Sequence, residues 1–468
     1  MKFSASILAW ALFVGATLGA PLLGNVEDPN NGTINIVKRA GPAAGKSDLK
    51  KGLLCESTKG VEEIRGYFPV GKGMKLWFWY FSARSDTAKD APLVVWLNGG
   101  PGASSMGGLF QDNGPCQFSE GSTSPSRNPN SFNNVANMLY IDQPAGAGFS
   151  FGSDKNEVNG INTSRLAIKY VYEFLQEFLA HKEFAHLAKR KFGIATSSYG
   201  GHWGPELAVH IQEQNKKAKT KINLAGLAIN SGLFDLSIQY PAMVEYSLEK
   251  KSIDKAKHDK IMKDYKTKCE PLLAACKKTD KDEDCSKADD ACYPTVEEPL
   301  EEVREWVYDV RGNKYKPSVA YKEWLKKSAK EVGALVEFSG NLGETNDIFN
   351  RFTSTGDTAR SMMSQLSEVV KANIPTLLWV GDQDALTTYI GVREVAEAVV
   401  HGGQAAFKKK VPGKWTVKGK EQGLFKTQGK LSYLQLKNAG HNVQFGQPEN
   451  SLQAFTQFFG GKGTISSS

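Results

Sequence analysis

Several stretches of this 468-residue chain are apolar without interruption, and each ends in a glycine-rich or polar turn. "APLVVWLNGGPG" (91–102), "ANMLYIDQPAGAGFS" (136–150), "KFGIATSSYGG" (191–201), "INLAGLAINSG" (222–232), "IPTLLWVGDQD" (374–384) and "LSYLQLKNAGH" (431–441) share this plan. Continuous apolar runs of this length suit strands buried on both faces of a mainly parallel sheet. "GYFPV" and "KLWFWYFSA" (75–83) read as earlier, aromatic-rich strands. Between the runs lie segments with apolar residues at three-and-four spacing. Residues 165–185 predict a helix, as do the stretches near 389–400 and 450–459. Strand alternating with helix is the signature of an open α/β sheet.

The rhythm breaks at 236–355, where charged, helix-like segments replace it. This segment reads as a mainly helical cap inserted into an α/β core whose parts are 40–235 and 356–468. Four cysteines sit in it. Cys269 and Cys276 are seven apart, as are Cys285 and Cys292, with the polar "KKTDKDED" between the pairs. Seven residues are about two helical turns, so each pair shares a face. An antiparallel helical hairpin then nests Cys276–Cys285 inside Cys269–Cys292, leaving Cys55 to pair with Cys116. Zinc is the rival reading, but no Cys-x-x-Cys is present.

The first residues change the compartment. "MKFSASILAWALFVGATLGA" (1–20) has an early lysine, an apolar run and small residues at its end, as a secretory signal peptide does. It is short for a membrane span, and no second long apolar run follows. Residues 20–45 read as a flexible leader; 21–39 form a possible propeptide, because Lys38-Arg39 is a dibasic pair, though an exposed surface pair reads equally well. Asn31 and Asn162 begin glycosylation sequons. An even cysteine count suits the same oxidising route, to the cell exterior or a vacuole. The composition, 40% hydrophobic and 23% charged, is that of a globular protein. The net charge of +8 has no aromatic-interleaved basic stripe, so nucleic acid is not an expected partner. No metal or organic cofactor is implied.

The chemistry lies in the turns. Ser198, Asp384 and His441 each follow a strand-like run, in the chain order Ser, Asp, His. A serine hydroxyl is a weak nucleophile and needs an imidazole to take its proton. A carboxylate must hold that imidazole in the right tautomer. Each residue alone has a bland reading: a turn serine, a helix-capping aspartate, a satisfied histidine. Asp382 serves the orienting role as well as Asp384 on pattern alone. The three together, in order and at strand ends, point to catalysis. "NGGPGASS" (98–105) adds backbone N–H groups that can approach an oxyanion closely. A phosphate loop is the rival, but no Lys-Ser/Thr follows.

At these residues the sequence resembles the serine carboxypeptidase family. The matching stretches are "WLNGGPGASSMGGLFQDNGP", "NMLYIDQPAGAGFSF", "SSYGGHWGP", "GDQDALT" and "NAGHNVQFGQPENSL", spread over most of 50–460. The resemblance implies an α/β-hydrolase fold and release of C-terminal residues from peptides through an acyl-enzyme at acidic pH. It implies Ser198 as nucleophile, Asp384 as orienting acid and His441 as base. Backbone N–H groups of Gly100 and Tyr199 would form the oxyanion hole. Asn98 and Gly99 would help hold the substrate's C-terminal carboxylate, and the cap would line the side-chain pockets.

The departures concern that carboxylate. The family's elbow commonly reads G-E-S-Y-G-G; here it reads Thr196-Ser197-Ser198-Tyr199-Gly200-Gly201. In the family the glutamate shares a proton with a second acid, at the position of Asp112. With Ser197 in its place, Asp112 is expected to have a less raised pKa and to repel a carboxylate at neutral pH, while Ser197 can donate a hydrogen bond instead. Thr196 is expected to be tolerated, the tight contacts of the turn lying mostly on its other side. Ala103 and Thr387, where many relatives have cysteine, read as secondary changes. Two rival functions remain: an esterase or acyltransferase on the same fold, and a degenerate secreted binding protein.

Overall fold

The computed structural model describes residues 48–84, 90–339 and 342–467. The signal-peptide and propeptide segments and Asn31 lie outside the described residues. The strands that matter here are β1 (Asp48–Lys51), β2 (Glu63–Val70), β3 (Met74–Phe81), β4 (Leu93–Leu97), β5 (Asn137–Ile141), β6 (Phe192–Ser197), β7 (Leu224–Asn230), β8 (Thr376–Gly381), β9 (Gly413–Val417), β10 (Lys420–Gln428) and β11 (Leu431–Leu436). They form one twelve-stranded sheet in the order β1-β2-β3-β5-β4-β6-β7-β8-β11-β10-β9, with Phe151–Gly152 pairing β3 beside that path. From β5 to β11 every neighbouring pair is parallel. Antiparallel strands flank this centre on both sides.

The apolar runs explain the centre. All five residues of β4 are buried. Val94 and Trp96 enter one core cluster, with Phe132 and Trp379. Leu93, Val95 and Leu97 enter the other, with Ile168, Phe174 and Phe178 of helix α1 (Ser164–Ala180). A strand with apolar side chains on both faces needs a layer on each.

Helix α1 ends five residues earlier than its periodicity suggests. His181 turns extended at ψ 137°, and Phe184 folds back to stack on Phe178, with ring centroids 4.0 Å apart. The β9–β10 hairpin had no counterpart in the sequence reading. It is lysine-rich and only partly buried, as sheet edges often are. Helix α2 (Gly200–Gln214) follows β6 directly.

Residues 236–355 hold helices α3 (Leu236–Glu249), α4 (Glu270–Thr279) and α5 (Asp282–Cys292) and later α6 (Leu342–Ser354). The hairpin of α4 and α5 carries the nested disulfides Cys276–Cys285 and Cys269–Cys292, and Cys55 bonds Cys116. All four hairpin cysteines are buried in a third hydrophobic cluster with Tyr240, Met243 and Leu300.

Candidate active site

Strand β6 ends at Ser197, and the chain then turns sharply at Ser198, which has φ +62°. A non-glycine residue there is strained by about 1–2 kcal/mol, and the neighbours hold it. The Ser198 amide donates to Asn230 O at 2.9 Å, and its carbonyl accepts from Gly201 N at 2.9 Å and Leu233 N at 3.0 Å. Thr196 does make a tight contact inside the turn. Its Oγ1 donates to Gly200 O at 2.9 Å, and a Cβ on Gly200 would stand 2.4 Å from Thr196 Cβ. Glycine at 200 is therefore what admits the β-branched residue.

His441 lies in the turn after β11, with Nδ1 3.0 Å from Asp384 Oδ2. Its carbonyl accepts from Asn230 Nδ2 at 2.9 Å and Ser231 Oγ at 3.0 Å. Its amide donates to Tyr308 O at 2.8 Å, and the Tyr308 ring packs 5.0 Å from the imidazole. Nε2 is buried and has no hydrogen-bond partner among the described residues. Asp384 also accepts from Leu386 N (2.9 Å), Thr387 N (3.1 Å) and Thr387 Oγ1 (2.8 Å). Burial pushes its pKa up, but the imidazole charge and these donors outweigh burial and hold it below the ordinary aspartate value. Asp382 faces elsewhere: its Oδ1 accepts from Asn438 N at 2.7 Å. Thr387 is thus no secondary change, since its hydroxyl touches the triad carboxylate and Ser231 O.

The "NGGPG" loop lies against the elbow. A Cβ on Gly99 would come 2.4 Å from Tyr199 N and 2.8 Å from Ser198 Cβ, so only glycine lets the two backbones meet. Among the described residues neither Gly100 nor Tyr199 uses its amide in a backbone hydrogen bond. Tyr199 also precedes the first residue of α2, where the helix dipole favours negative charge. Asp142 of "YIDQPAG" ties the loop down: Oδ1 accepts from Ser104 Oγ (2.7 Å) and Ser105 N (2.9 Å), and Oδ2 from Phe149 N (2.9 Å). Asn98 is half-buried, its Oδ1 held by Trp96 Nε1 at 2.6 Å and its carbonyl by Trp203 Nε1 at 3.1 Å.

Asp112 is buried in the helical turn Gly108–Asn113 and accepts from Asn442 Nδ2 at 3.0 Å. Its partner is the residue after His441 and not Ser197, which is buried at the end of β6. The pKa is raised even without a carboxyl partner. Burial pushes Asp112 up to about 7, with Asn442 and the His441 charge pulling the other way. Burial alone, without a second carboxyl, keeps this acid mostly neutral below about pH 7.

The segment 289–308, which brings Tyr308 to His441, also holds a cluster of buried and half-buried acids. Tyr240 donates to Glu297 Oε2 and Tyr293 to Glu301 Oε2, both at 3.0 Å. Burial, and then the neighbouring Glu297 charge, push Asp289 and Glu301 up to about 8. Asn162 is half-buried at the start of α1, beside a buried Ser164. Among the described residues no group of His, Cys, Asp and Glu side chains is placed to hold a metal ion, and no helix is long and apolar enough to cross a membrane.

The sequence reading missed Asn442, Tyr308 and Asp142 as site residues. Asn442 had a signal, since it is a polar neighbour of the candidate base. Tyr308 had none, since it arrives from a remote segment.

The serine carboxypeptidase family profile matches residues 55–461. Carboxypeptidase S1 from Penicillium janthinellum is 40% identical over 423 residues, covering 87% of this chain and 97% of that protein. The vacuolar serine-type carboxypeptidase ATG42 from Saccharomyces cerevisiae is 29% identical over 420 residues, covering 87% of this chain and 80% of that protein. Among solved structures, a prohormone-processing carboxypeptidase from Saccharomyces cerevisiae superposes with a TM-score of 0.67 at 23% identity, covering 84% of this chain and 90% of the other. That likeness speaks for the fold, an α/β hydrolase.

Proposed function

The chain belongs to the serine carboxypeptidase family and is a serine-type carboxypeptidase, and on that premise we propose that it removes C-terminal residues from peptides through an acyl-enzyme on Ser198, most actively at acidic pH. His441 Nε2 takes the Ser198 proton as the hydroxyl attacks the last peptide carbonyl, and then gives it to the leaving amine. Asp384 keeps Nδ1 protonated. The oxyanion is met by the N–H groups of Gly100 and Tyr199. Water then attacks the acyl-enzyme, with the same imidazole as base.

The leaving residue carries a free carboxylate, and Asp112, Asn98, Gly99 and Ser197 are assigned to hold it. The observation that supports this best is the Asp112–Asn442 bond beside His441. It puts an acid with a pKa of about 7 next to the base. Below that pH Asp112 is neutral and can donate to a carboxylate; above it the two repel. The helical segment 236–355 acts as the cap that lines the side-chain pockets. The protein enters the secretory pathway after loss of residues 1–20, is glycosylated at Asn162, and works outside the cell or in a vacuole.

An N-blocked dipeptide and its C-terminal amide, assayed from pH 4 to 8 beside Ser198→Ala, test the proposal. Faster cleavage of the free acid, declining as pH rises and absent in the variant, is expected. Equal or faster cleavage of the amide means that carboxylate recognition went with the elbow glutamate that Ser197 replaces, and turnover of neither substrate moves the assignment to an esterase or acyltransferase or to a non-catalytic protein. An active Ser198→Ala protein overturns the nucleophile.

A further inference from the structure

Tyr199 is held by its side chain as well as by its backbone. Its ring is buried, and its hydroxyl donates to Asp357 Oδ2 at 2.7 Å. Asp357 is only 2% exposed. Its Oδ1 accepts from Ser164 N, the first residue of α1, at 3.0 Å, and Oδ2 also accepts from the Ser164 hydroxyl. One carboxylate therefore joins the N-terminus of α1, the turn after α6 and the nucleophile elbow. The Tyr199 ring is stacked on His202 with centroids 4.4 Å apart and planes 9° apart, and Trp203 meets its edge at 5.0 Å. His202 is fully buried, and burial pushes its pKa down to about 4. It stays neutral through most of the acidic range, so Asp357 is not drawn into an ion pair with it.

A buried carboxylate is expensive unless donors satisfy it. Here one of the donors is the side chain of the residue whose amide is assigned to the oxyanion. We propose that Asp357 is a positioning residue for the oxyanion hole: through the Tyr199 hydroxyl it fixes the ring, and through the ring it fixes the direction of the Tyr199 N–H beside the strained Ser198. This rests on the assignment of Tyr199 made above. An oxyanion donor acts in the transition state only, so its misalignment lowers kcat and leaves KM alone.

The test is kinetic, on active-site-titrated protein well below its melting temperature. Tyr199→Phe keeps the ring stack and removes only the hydroxyl; Asp357→Asn keeps the shape and removes the charge. Each is expected to lower kcat about tenfold with KM within about twofold of wild type. The double variant should be no slower than the slower single, since both remove one bond. A lowered melting temperature with unchanged kcat per titrated site would mean a structural role alone and overturn the proposal. So would losses that multiply in the double variant. If Asp357→Asn does not fold, Tyr199→Phe alone decides between these outcomes. An active Ser198→Ala protein would instead remove the reading beneath it, whereas inactive Ser198→Ala beside unimpaired Tyr199→Phe removes only the tether.

Discussion

Two aspartates attend His441, and they are held in opposite states. Asp384 is 0% exposed and Asp112 is 7% exposed, so burial does not separate them. Donors do. Asp384 accepts from two backbone amides, the Thr387 hydroxyl and the imidazole, and its pKa falls below the ordinary value. Asp112 has the single amide of Asn442, and burial carries it to about 7. The same side chain in the same degree of burial becomes a fixed anion or a neutral acid according to how strongly the imidazole charge acts on it and how many hydrogen bonds reach its charged form. The two roles follow: a permanent charge suits an imidazolium, and a neutral acid suits a carboxylate.

The largest expected effect comes from breaking the charged side. Asp384→Asn should lower kcat by about 10³–10⁴-fold, because an amide no longer holds Nδ1 protonated and no longer stabilises the imidazolium. KM should change little. Asp382→Asn is the matched control, since Asp382 bonds Asn438 N and not the imidazole. Its kcat should stay within about threefold of wild type. Comparable losses in both variants would break the distinction.

The neutral side should give a smaller, pH-dependent effect. For a peptide with a free C-terminus, KM should be flat in acid and rise about tenfold per pH unit once Asp112 ionises above about 7. Asp112→Asn cannot ionise, so its KM should be somewhat higher in acid but flat through pH 8. The C-terminal amide should show no such rise in either protein. A KM for Asp112→Asn that still climbs with pH would mean that another group sets it.

Much of this frame was readable from patterning, and what was not has a common cause. Strands buried on both faces announce themselves as unbroken apolar runs, so β4 to β8 and β11 were visible, with Ser198, Asp384 and His441 at their ends. Cysteines two helical turns apart were enough to choose a nested pairing, and the disulfides join those same cysteines. What escaped depends on three-dimensional surroundings. The choice between Asp382 and Asp384 turns on which one the loop aims at the imidazole. The pKa of Asp112 was expected from its missing carboxyl partner, but burial sets it, and burial is invisible in "FQDNGP". Thr387 looked like a lost cysteine until its hydroxyl was seen on Asp384. Asp357 stands 158 residues from the tyrosine it holds, and nothing in the sequence links them. The lysine-rich sequences of β9 and β10 carry no unbroken apolar run, and so hid the strands at that edge.

The comparison extends to stability, where the expected effect is smallest. Asp289 and Glu301 resemble Asp112: burial, then the charge of neighbouring Glu297, lifts both to about 8. Asp290, Asp357 and Arg304 also face this cluster. In the unfolded chain such groups titrate near 4. The folded state therefore keeps protons that the unfolded state releases between about pH 4 and 8. Their contribution is full below about pH 4 and is lost as pH rises through about 8. Asp384 works with the opposite sign, losing its contribution only as pH falls below the ordinary aspartate value. Together they predict a melting temperature that peaks near pH 4–5 and declines towards pH 8. Glu301 is half-buried and partly screened by solvent, so its share is modest. Replacing it by glutamine should flatten the decline by roughly 2–4 °C between pH 5 and 8. A melting temperature that rises over that interval would show that the cluster is ionised at neutral pH, and the neutral-acid half of the comparison would then hold for Asp112 alone.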